Sequence, residues 1–396
     1  MKNIILVLFS MLSVNLSAQS WQELDSGTSA WLRSVSFIND FEGIVVGYEG
    51  TILRTADGGD SWTPVISDKT ADLLSVFFVS ENLGIITGAQ GTILRSTDKG
   101  QTWEDVSWTA PAVLHEAHFV DEEVGYIAGE AGQNLKTVDG GLSWIKIDLF
   151  SVNGKVSVFF PSREVGYFVG LGNAEAIMKT ENAGANFLGF NSLGVEEFTA
   201  AYFTDPEVGY LTSVRGGGHV VKTTDGGFNW ETTDFNFDQG LYSVDFLGES
   251  EGYIAGGFPD DAILLHTIDE GATWVRQNLS TDEPLFDVDL VAEDYAFAVG
   301  RSGTILRLGD APVSNVSAFA DRSGQERHIK IYPNPTSGHA KIELDKLLSY
   351  ELSDMTGKVL KVQDKADGSY LDLSGLPVGM YFLRFENGWI EKVFKL

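Results

Sequence analysis

An eight-residue phrase, Thr-x-Asp-Gly-Gly-x-Ser/Thr-Trp, returns along this chain at a nearly fixed interval. It occupies residues 55–62, then 96–103 with Lys99 replacing the first Gly, then 137–144. A weakened copy covers 180–187, and further copies cover 223–230 and 267–274. The successive box positions Asp57, Asp98, Asp139, Asn182, Asp225 and Asp269 stand 41, 41, 43, 43 and 44 residues apart. A period near ~40 residues describes an array of like supersecondary units that bury their apolar faces against one another.

The repeat extends upstream of the box. Each copy opens with an apolar strand ending in Phe37, Phe78, Phe119, Phe160, Phe203 or Phe246, with Leu290 in the last copy. A Gly follows six residues later, as at Gly43 and Gly84, and usually another four residues after that, as at Gly47 and Gly88; Ser213 breaks this second column. Short runs of Val, Ile, Phe and Tyr between turn residues read as four antiparallel strands per unit, the pattern of a propeller blade. A seventh unit spans residues 285–310 but has no outer Trp strand. Residues 20–24, Ser-Trp-Gln-Glu-Leu, resemble the outer strand at 61–65. The expected fold is therefore all-β: a seven-bladed propeller over 19–310, closed by its N-terminal strand, which removes the exposed sheet edges.

The box has a local task. Its Asp accepts hydrogen bonds from its own turn, its glycines permit left-handed backbone, and its Trp plugs the turn. Asp57, Asp98, Asp139, Asp225 and Asp269 are thus expected to be structural.

Residues 1–18, with Lys2 before a short apolar run and Leu16-Ser17-Ala18 at the end, read as a signal peptide. That run is too short to span a bilayer, which takes about 20 residues. The chain has no Cys, so disulfides, thiolate metal sites and a lipoprotein anchor are excluded. The formal net charge of −29 is uneven: residues 328–396 hold nine Lys/Arg and nine Asp/Glu, leaving 18 against 47 in residues 1–327. An acidic propeller surface argues against nucleic acid and anionic lipid as partners. No metal site and no cofactor are expected, because Gly-rich phosphate loops, calcium loops and clustered ligands are missing.

Residues 311–327 have no sustained period and read as a linker. Beyond them, seven short strand patterns in residues 328–396 suggest a small β-sandwich. This module carries Tyr332-Pro333-Asn334-Pro335, Gly338, Leu352-Ser353-Asp354-Met355-Thr356-Gly357-Lys358, Leu371-Asp372-Leu373-Ser374-Gly375-Leu376, Gly379-Met380-Tyr381-Phe382 and a tail ending Lys395-Leu396. In order and spacing it resembles a type A sorting domain of the type IX secretion system of Bacteroidetes. That resemblance implies passage through the periplasm and across the outer membrane, with the type IX machinery as partner. Pro333, Asn334, Pro335, Gly357, Gly379 and Lys395 would serve as an address, with no catalytic task.

The propeller, through residues 43–62 above all, is similar to the photosystem II stability/assembly factor family and more broadly to sialidase-type Asp-box repeats. The resemblance implies the fold; a chain addressed to the cell exterior has no photosystem to assemble.

Three residues before each box Asp stands a base: Arg54, Arg95, Lys136, Lys179, Lys222, His266 and Arg307. One reading packs their stems between blades and neutralises nearby acids. The other makes the column a docking stripe for an acidic peptide or carboxylate, as a basic patch does in the family it resembles.

In a propeller, the loops entering the innermost strands share a face with the loops between strands two and three. The first set places Trp31, Arg33, Asp72, His115, Glu116, Lys155, Glu197, Tyr242 and Asp287 around the channel mouth. The second adds Tyr48, Glu49, Gln90, Glu130, Gln133, Glu175, Arg215, His219, Asp260, Asp261 and Arg301. Loops on a rigid ring are where such folds keep function. A sialidase would need three arginines, a Tyr–Glu nucleophile pair and an acid. Arg33, Arg215 and Arg301 lie in suitable loops, but the Phe/Tyr-Arg-Ile-Pro motif is absent and seven units exceed that family's six. A xyloglucanase-like enzyme would need opposed carboxylates between two propellers. The expectation is a secreted or surface-attached, non-enzymatic propeller that binds a protein or glycan. An extracellular glycoside hydrolase is the alternative.

Overall fold

The computed structural model describes residues 20–149, 154–171, 175–190, 197–214, 217–235, 237–259 and 261–310, and from the C-terminal part 329–332, 339–344, 348–354, 358–366, 370–377, 379–385 and 390–395. The segments expected as signal peptide (1–18) and linker (311–327), with Arg215, Asp260, Pro333, Asn334, Pro335, Gly338 and Gly357, lie outside the described residues. Two units divide the chain, residues 1–314 and 315–396.

In the first unit each repeat forms one four-stranded antiparallel sheet, and there are seven. Blade 1 runs Leu32–Phe37, Gly43–Gly47, Ile52–Thr55 and Thr63–Pro64, in that spatial order. The next five blades repeat it. The seventh is built from Leu285–Ala292, Tyr295–Gly300 and Ile305–Leu308, and its fourth strand is the N-terminal Gln22–Leu24, with Gln22 opposite Arg307. Trp21 is buried edge-on to Tyr253 of blade 6 at 5.5 Å. Trp62 of blade 1 likewise packs on Phe297 of blade 7.

Second strands are buried along their whole length, save Glu251 at the start of that of blade 6, because neighbouring blades cover them on both sides. That explains the continuous apolar runs such as Ile44-Val45-Val46. Its first glycine is dictated by the Phe of the innermost strand: a Cβ on Gly43 would fall 2.8 Å from the Phe37 ring, and on Gly84 2.7 Å from Phe78. A Cβ on the second glycine, as at Gly47, would collide with a backbone carbonyl, here that of Trp31.

The box turn is closed by its Thr and Asp together. In blade 1 the Thr55 hydroxyl donates to Asp57 Oδ1 at 2.8 Å and accepts the Gly59 N–H at 2.9 Å. Ser61 donates its N–H to Asp57 Oδ1 (2.9 Å) and its hydroxyl to Oδ2 (2.6 Å). Blades 2, 3, 5 and 6 make the same set around Asp98, Asp139, Asp225 and Asp269. Hydrogen bonds from Thr273 and Thr267 hold the Asp269 carboxyl down at about 2.

The second unit holds two antiparallel sheets, a three-stranded one of Ile329–Tyr332, His339–Leu344 and Tyr370–Asp372, and a four-stranded one of Leu348–Asp354, Val359–Ala366, Gly379–Phe385 and Ile390–Lys395. Alternate residues Tyr350 and Leu352, Tyr381 and Leu383 are buried, as are Leu371 and Val393. This is the inward-facing alternation of a β-sandwich. Among the described residues no helix is long and apolar enough to cross a membrane.

Candidate binding site at the channel mouth

Each innermost strand carries a β-bulge at the same place, between Leu32 and Ser34 in blade 1 and between Leu285 and Asp287 in blade 7. The other five blades repeat it. A bulge leaves one residue unpaired and re-aims its side chain. The bulged residues are Arg33, Leu74, His115, Val156, Thr199, Tyr242 and Phe286, a column with no shared chemistry. Contacts across the mouth join it: Arg33 lies 4.4 Å above the Phe286 ring, and Tyr242 meets that ring edge-on at 5.7 Å.

Below this level the strands are stitched by side chains that bond the next blade's backbone. Val35 and Phe37 donate their N–H groups to Asp287 Oδ2 (3.0 Å) and Asp289 Oδ2 (2.6 Å), across the blade 7–blade 1 seam. Val158 N–H donates to Glu116 Oε2 at 3.1 Å, and Leu290 N–H to Asp245 Oδ2 at 2.7 Å. Where the acid is absent, Ser34 and Ser157 accept instead from Val76 and Ala201. Burial pushes Glu116 up to about 8 and Asp245 up to about 7. Burial and the neighbouring Asp245 carry Asp289 well above the ordinary carboxylate range. Asp287 is raised for the same reason of burial. His118, buried with its ring nitrogen against the Phe160 carbonyl, is pushed down to about 4.

The expected mouth residues therefore part into groups. Glu116 and Asp287 are inter-blade acceptors. Lys155 takes the apolar Leu32 position of its blade, fully buried, with Nζ donating to the Glu175 carbonyl at 2.5 Å. Burial lowers it to about 8. Asp72 accepts the Glu49 N–H, His115 pairs with Glu130 at 3.2 Å, and Asp261 with Arg276 at 2.8 Å. Gln133 accepts from the Trp108 indole. Glu49, Gln90, Glu175 and Glu197 hold left-handed backbone at the loop tips. His219 donates its backbone N–H to Ser213, the residue that breaks the glycine column.

Trp31, Arg33, Tyr48, Tyr242 and Arg301 do come together, with Phe258 from the lengthened loop at residues 258–262 and with Phe286, which sequence reading missed. Trp31 stacks on Tyr48 (5.4 Å, 18°) and on Phe286 (5.7 Å, 26°), and Phe258 meets its edge at 6.0 Å. Arg301 lies 5.3 Å over Trp31, at the rim, and is 3.8 Å from Glu283. Arg33 stands inside the cluster with its Nε buried and without a hydrogen-bond partner. Burial pulls its pKa below the ordinary value, against the smaller opposing pull of Tyr48, Tyr242, Asp287 and Asp72.

The basic column lies on the other face. Arg54 donates to the Lys99 carbonyl (3.2 Å), Arg95 to Gly140 (2.7 Å), Lys136 to Ala183 (2.7 Å), Lys222 to Glu270 (2.6 Å) and Arg307 to Gly58 (2.9 Å). Each acceptor is the residue after the box Asp or Asn of the following blade, and in blade 1 it is reached from blade 7. Tyrosines 126, 210 and 295 bond three of the same carbonyls. In blade 4, Tyr167 takes the Gly226 carbonyl, and Lys179 pairs with Glu181 over the Phe228 ring. His266 pairs with Glu251 and stacks on Tyr253.

No curated protein matches the chain. Among solved structures it is similar to YCF48 bound to D1 peptide, with 23% identity over 73% of this chain and 97% of that one and a TM-score of 0.61. YCF48 from Cyanidioschyzon merolae is similar at 19% identity, covering 73% and 98%, with a TM-score of 0.60. The GH74 enzyme of Niastella koreensis is similar at 15% identity, covering 95% of this chain and 66% of that one, with a TM-score of 0.62. At these identities the likeness is one of fold. A family model matches residues 13–112 and 191–392, and on that match the chain belongs to the photosynthesis system II assembly factor YCF48 family.

Proposed function

We propose that this protein is an exported, non-catalytic propeller that binds a segment of a partner protein at its channel mouth, and that its C-terminal unit is a type IX secretion address. One observation carries the binding reading. The inward carboxylates Glu116, Asp245, Asp287 and Asp289 each accept a backbone N–H of a neighbouring blade. The aromatic and arginine cluster above them holds a buried donor without a partner. A glycosidase turns two carboxyls toward its substrate, about 5–9 Å apart; here the acids are spent on the scaffold. A family relative crystallised with a D1 peptide supports a protein segment as the kind of ligand. The export reading is supported by the signal-like first 18 residues and by the quoted motifs of residues 332–396.

The GH74 likeness sustains the hydrolase as second reading. Glu116, protonated up to about pH 8, has the protonation state a general acid needs. Purified full-length protein incubated with xyloglucan and with a sialylated oligosaccharide should release no reducing sugar. Release that vanishes in Glu116→Gln would establish the hydrolase instead. In a host with type IX secretion, the full chain should reach the surface or medium, and a chain ending at residue 310 should stay in the periplasm. Equal export of both would sink the address.

A further inference from the structure

Arg33 alone among the bulged residues bears a permanent charge. The bases of the opposite face find a carbonyl or carboxylate; even Arg307, whose Nε is likewise buried and unpaired, donates through Nη1 to Gly58 and Asp60, whereas Arg33, its Nε buried, donates to no protein group among the described residues. A desolvated charge without a hydrogen-bonding partner is costly to hold. Asp72 and Asp287 offset it electrostatically, but both Asp287 oxygens are committed to the Val35 N–H and the Ser243 hydroxyl, and Asp72 Oδ1 takes the Glu49 N–H. The guanidinium carbon stands 4.4 Å from the Phe286 ring centre, and the terminal nitrogens of its fork, which matches a carboxylate, are left for another group.

We propose that Arg33 receives the carboxylate of a peptide whose adjoining apolar group lies against Trp31 and Tyr48, with Arg301 as a second, outer cation. This rests on the channel mouth being the partner face. Phe286 is buried and backs the half-buried rings of Trp31 and Tyr48, which stack on each other, so an apolar side chain entering beside Arg33 meets Trp31 and Tyr48.

The probes are N-acetylphenylalanine, its neutral amide, and N-acetyl-aspartyl-phenylalaninamide, titrated into full-length protein at neutral pH and low salt by calorimetry and saturation-transfer NMR. At least one carboxylate probe should bind about tenfold or more tightly than the amide. Terminal-acid binding identifies a chain end, and side-chain-acid binding an internal acidic residue. Arg33→Met should remove that preference, Arg33→Lys should restore part of it, and Arg301→Met should weaken binding less. Equal binding of acid and amide, unchanged in Arg33→Met, would overturn the carboxylate assignment while leaving a mouth-face peptide site standing. A response to N-acetylneuraminic acid with none to the three peptide probes would overturn the peptide assignment in favour of a glycan. No response to any probe would overturn the proposal outright. Unfolding curves recorded on each variant separate loss of binding from loss of fold.

Discussion

On the box face, Thr137, Asp139 and Ser143 of blade 3 make the same bonds as Thr55, Asp57 and Ser61 of blade 1. On the mouth face, His115 of blade 3 and Arg33 of blade 1 stand at the same bulge and share no chemistry. The backbone repeats on both faces, and only one of them repeats its side chains. Where a residue serves the scaffold, each blade needs the same solution, so the type recurs at the period. Where the backbone merely presents a side chain, each blade is free to present a different one. Function is sought where the backbone repeats and the side chains do not.

The largest effect that could break this contrast concerns the scaffold seam. Removing residues 20–24 empties the place of Trp21, worth about 3–5 kcal/mol by analogy with core Trp truncation, and bares the edge of Ile305–Leu308. The shortened protein should melt far earlier and aggregate, as seen by calorimetry and gel filtration. An unchanged melting temperature would show that the pairing of Gln22–Leu24 contributes nothing to the ring.

Next come the boxes. Thr137→Val removes a hydroxyl that donates to Asp139 and accepts the Gly141 N–H. It should cost about 1–3 kcal/mol in denaturant unfolding. Thr55→Val, in a distant blade, should cost the same within about 0.5 kcal/mol. Widely different costs would mean that the box is not the interchangeable part its geometry describes.

Titration separates the box carboxylates from the inward-facing buried carboxylates by sign. Asp269, held at about 2, stabilises the fold above the ordinary carboxylate value of 3.8, and this is lost as pH falls toward 2. His118, buried neutral, loses its contribution as pH falls from 6.5 toward about 4. Asp245 and Glu116 act oppositely: their raised values favour the protonated fold, so stability drains away as pH rises from about 4 through 7 and 8. Unfolding midpoints should peak near about pH 4, where the box carboxylates are ionised and the buried acids have not yet begun to favour the unfolded chain. Asp245→Asn and Glu116→Gln should flatten the alkaline limb without touching the acid one. A wild-type profile that rises from pH 6 to 8 would contradict the buried-acid description.

The smallest expected change in stability is at the mouth. Arg33→Met discards a buried charge that bonds nothing, so stability should hold within about 0.5 kcal/mol or increase. A loss like that of Thr137→Val would place Arg33 with the scaffold.

Much of this was legible in the sequence, for physical reasons. The period counted the blades, and Asp57 with its flanking Thr55, Ser61 and Trp62 announced a self-bonded turn. The column from Arg54 to Arg307 was visible as a column. Its acceptors were not, because the next blade's carbonyls are backbone groups and leave no mark in side-chain type. The bulge did leave a mark that went unread. Leu32 and Val35, Leu73 and Val76, Leu241 and Val244 are buried pairs three residues apart. A regular strand buries residues at even spacing, so an odd interval demands one extra residue. Read that way, Phe286 would have joined Arg33 and Tyr242 from the start. Phe258 would not, since it arrives from a strand-two-to-three loop whose length follows no repeat.

The most direct test of the account is a crystal structure of the full chain soaked with whichever carboxylate probe binds. Its carboxylate should lie on the Arg33 guanidinium and its phenyl group against Trp31 and Tyr48. A probe seated instead on the box face, against Arg54, Arg95 or Arg307, with the mouth empty, would contradict the separation of scaffold and site.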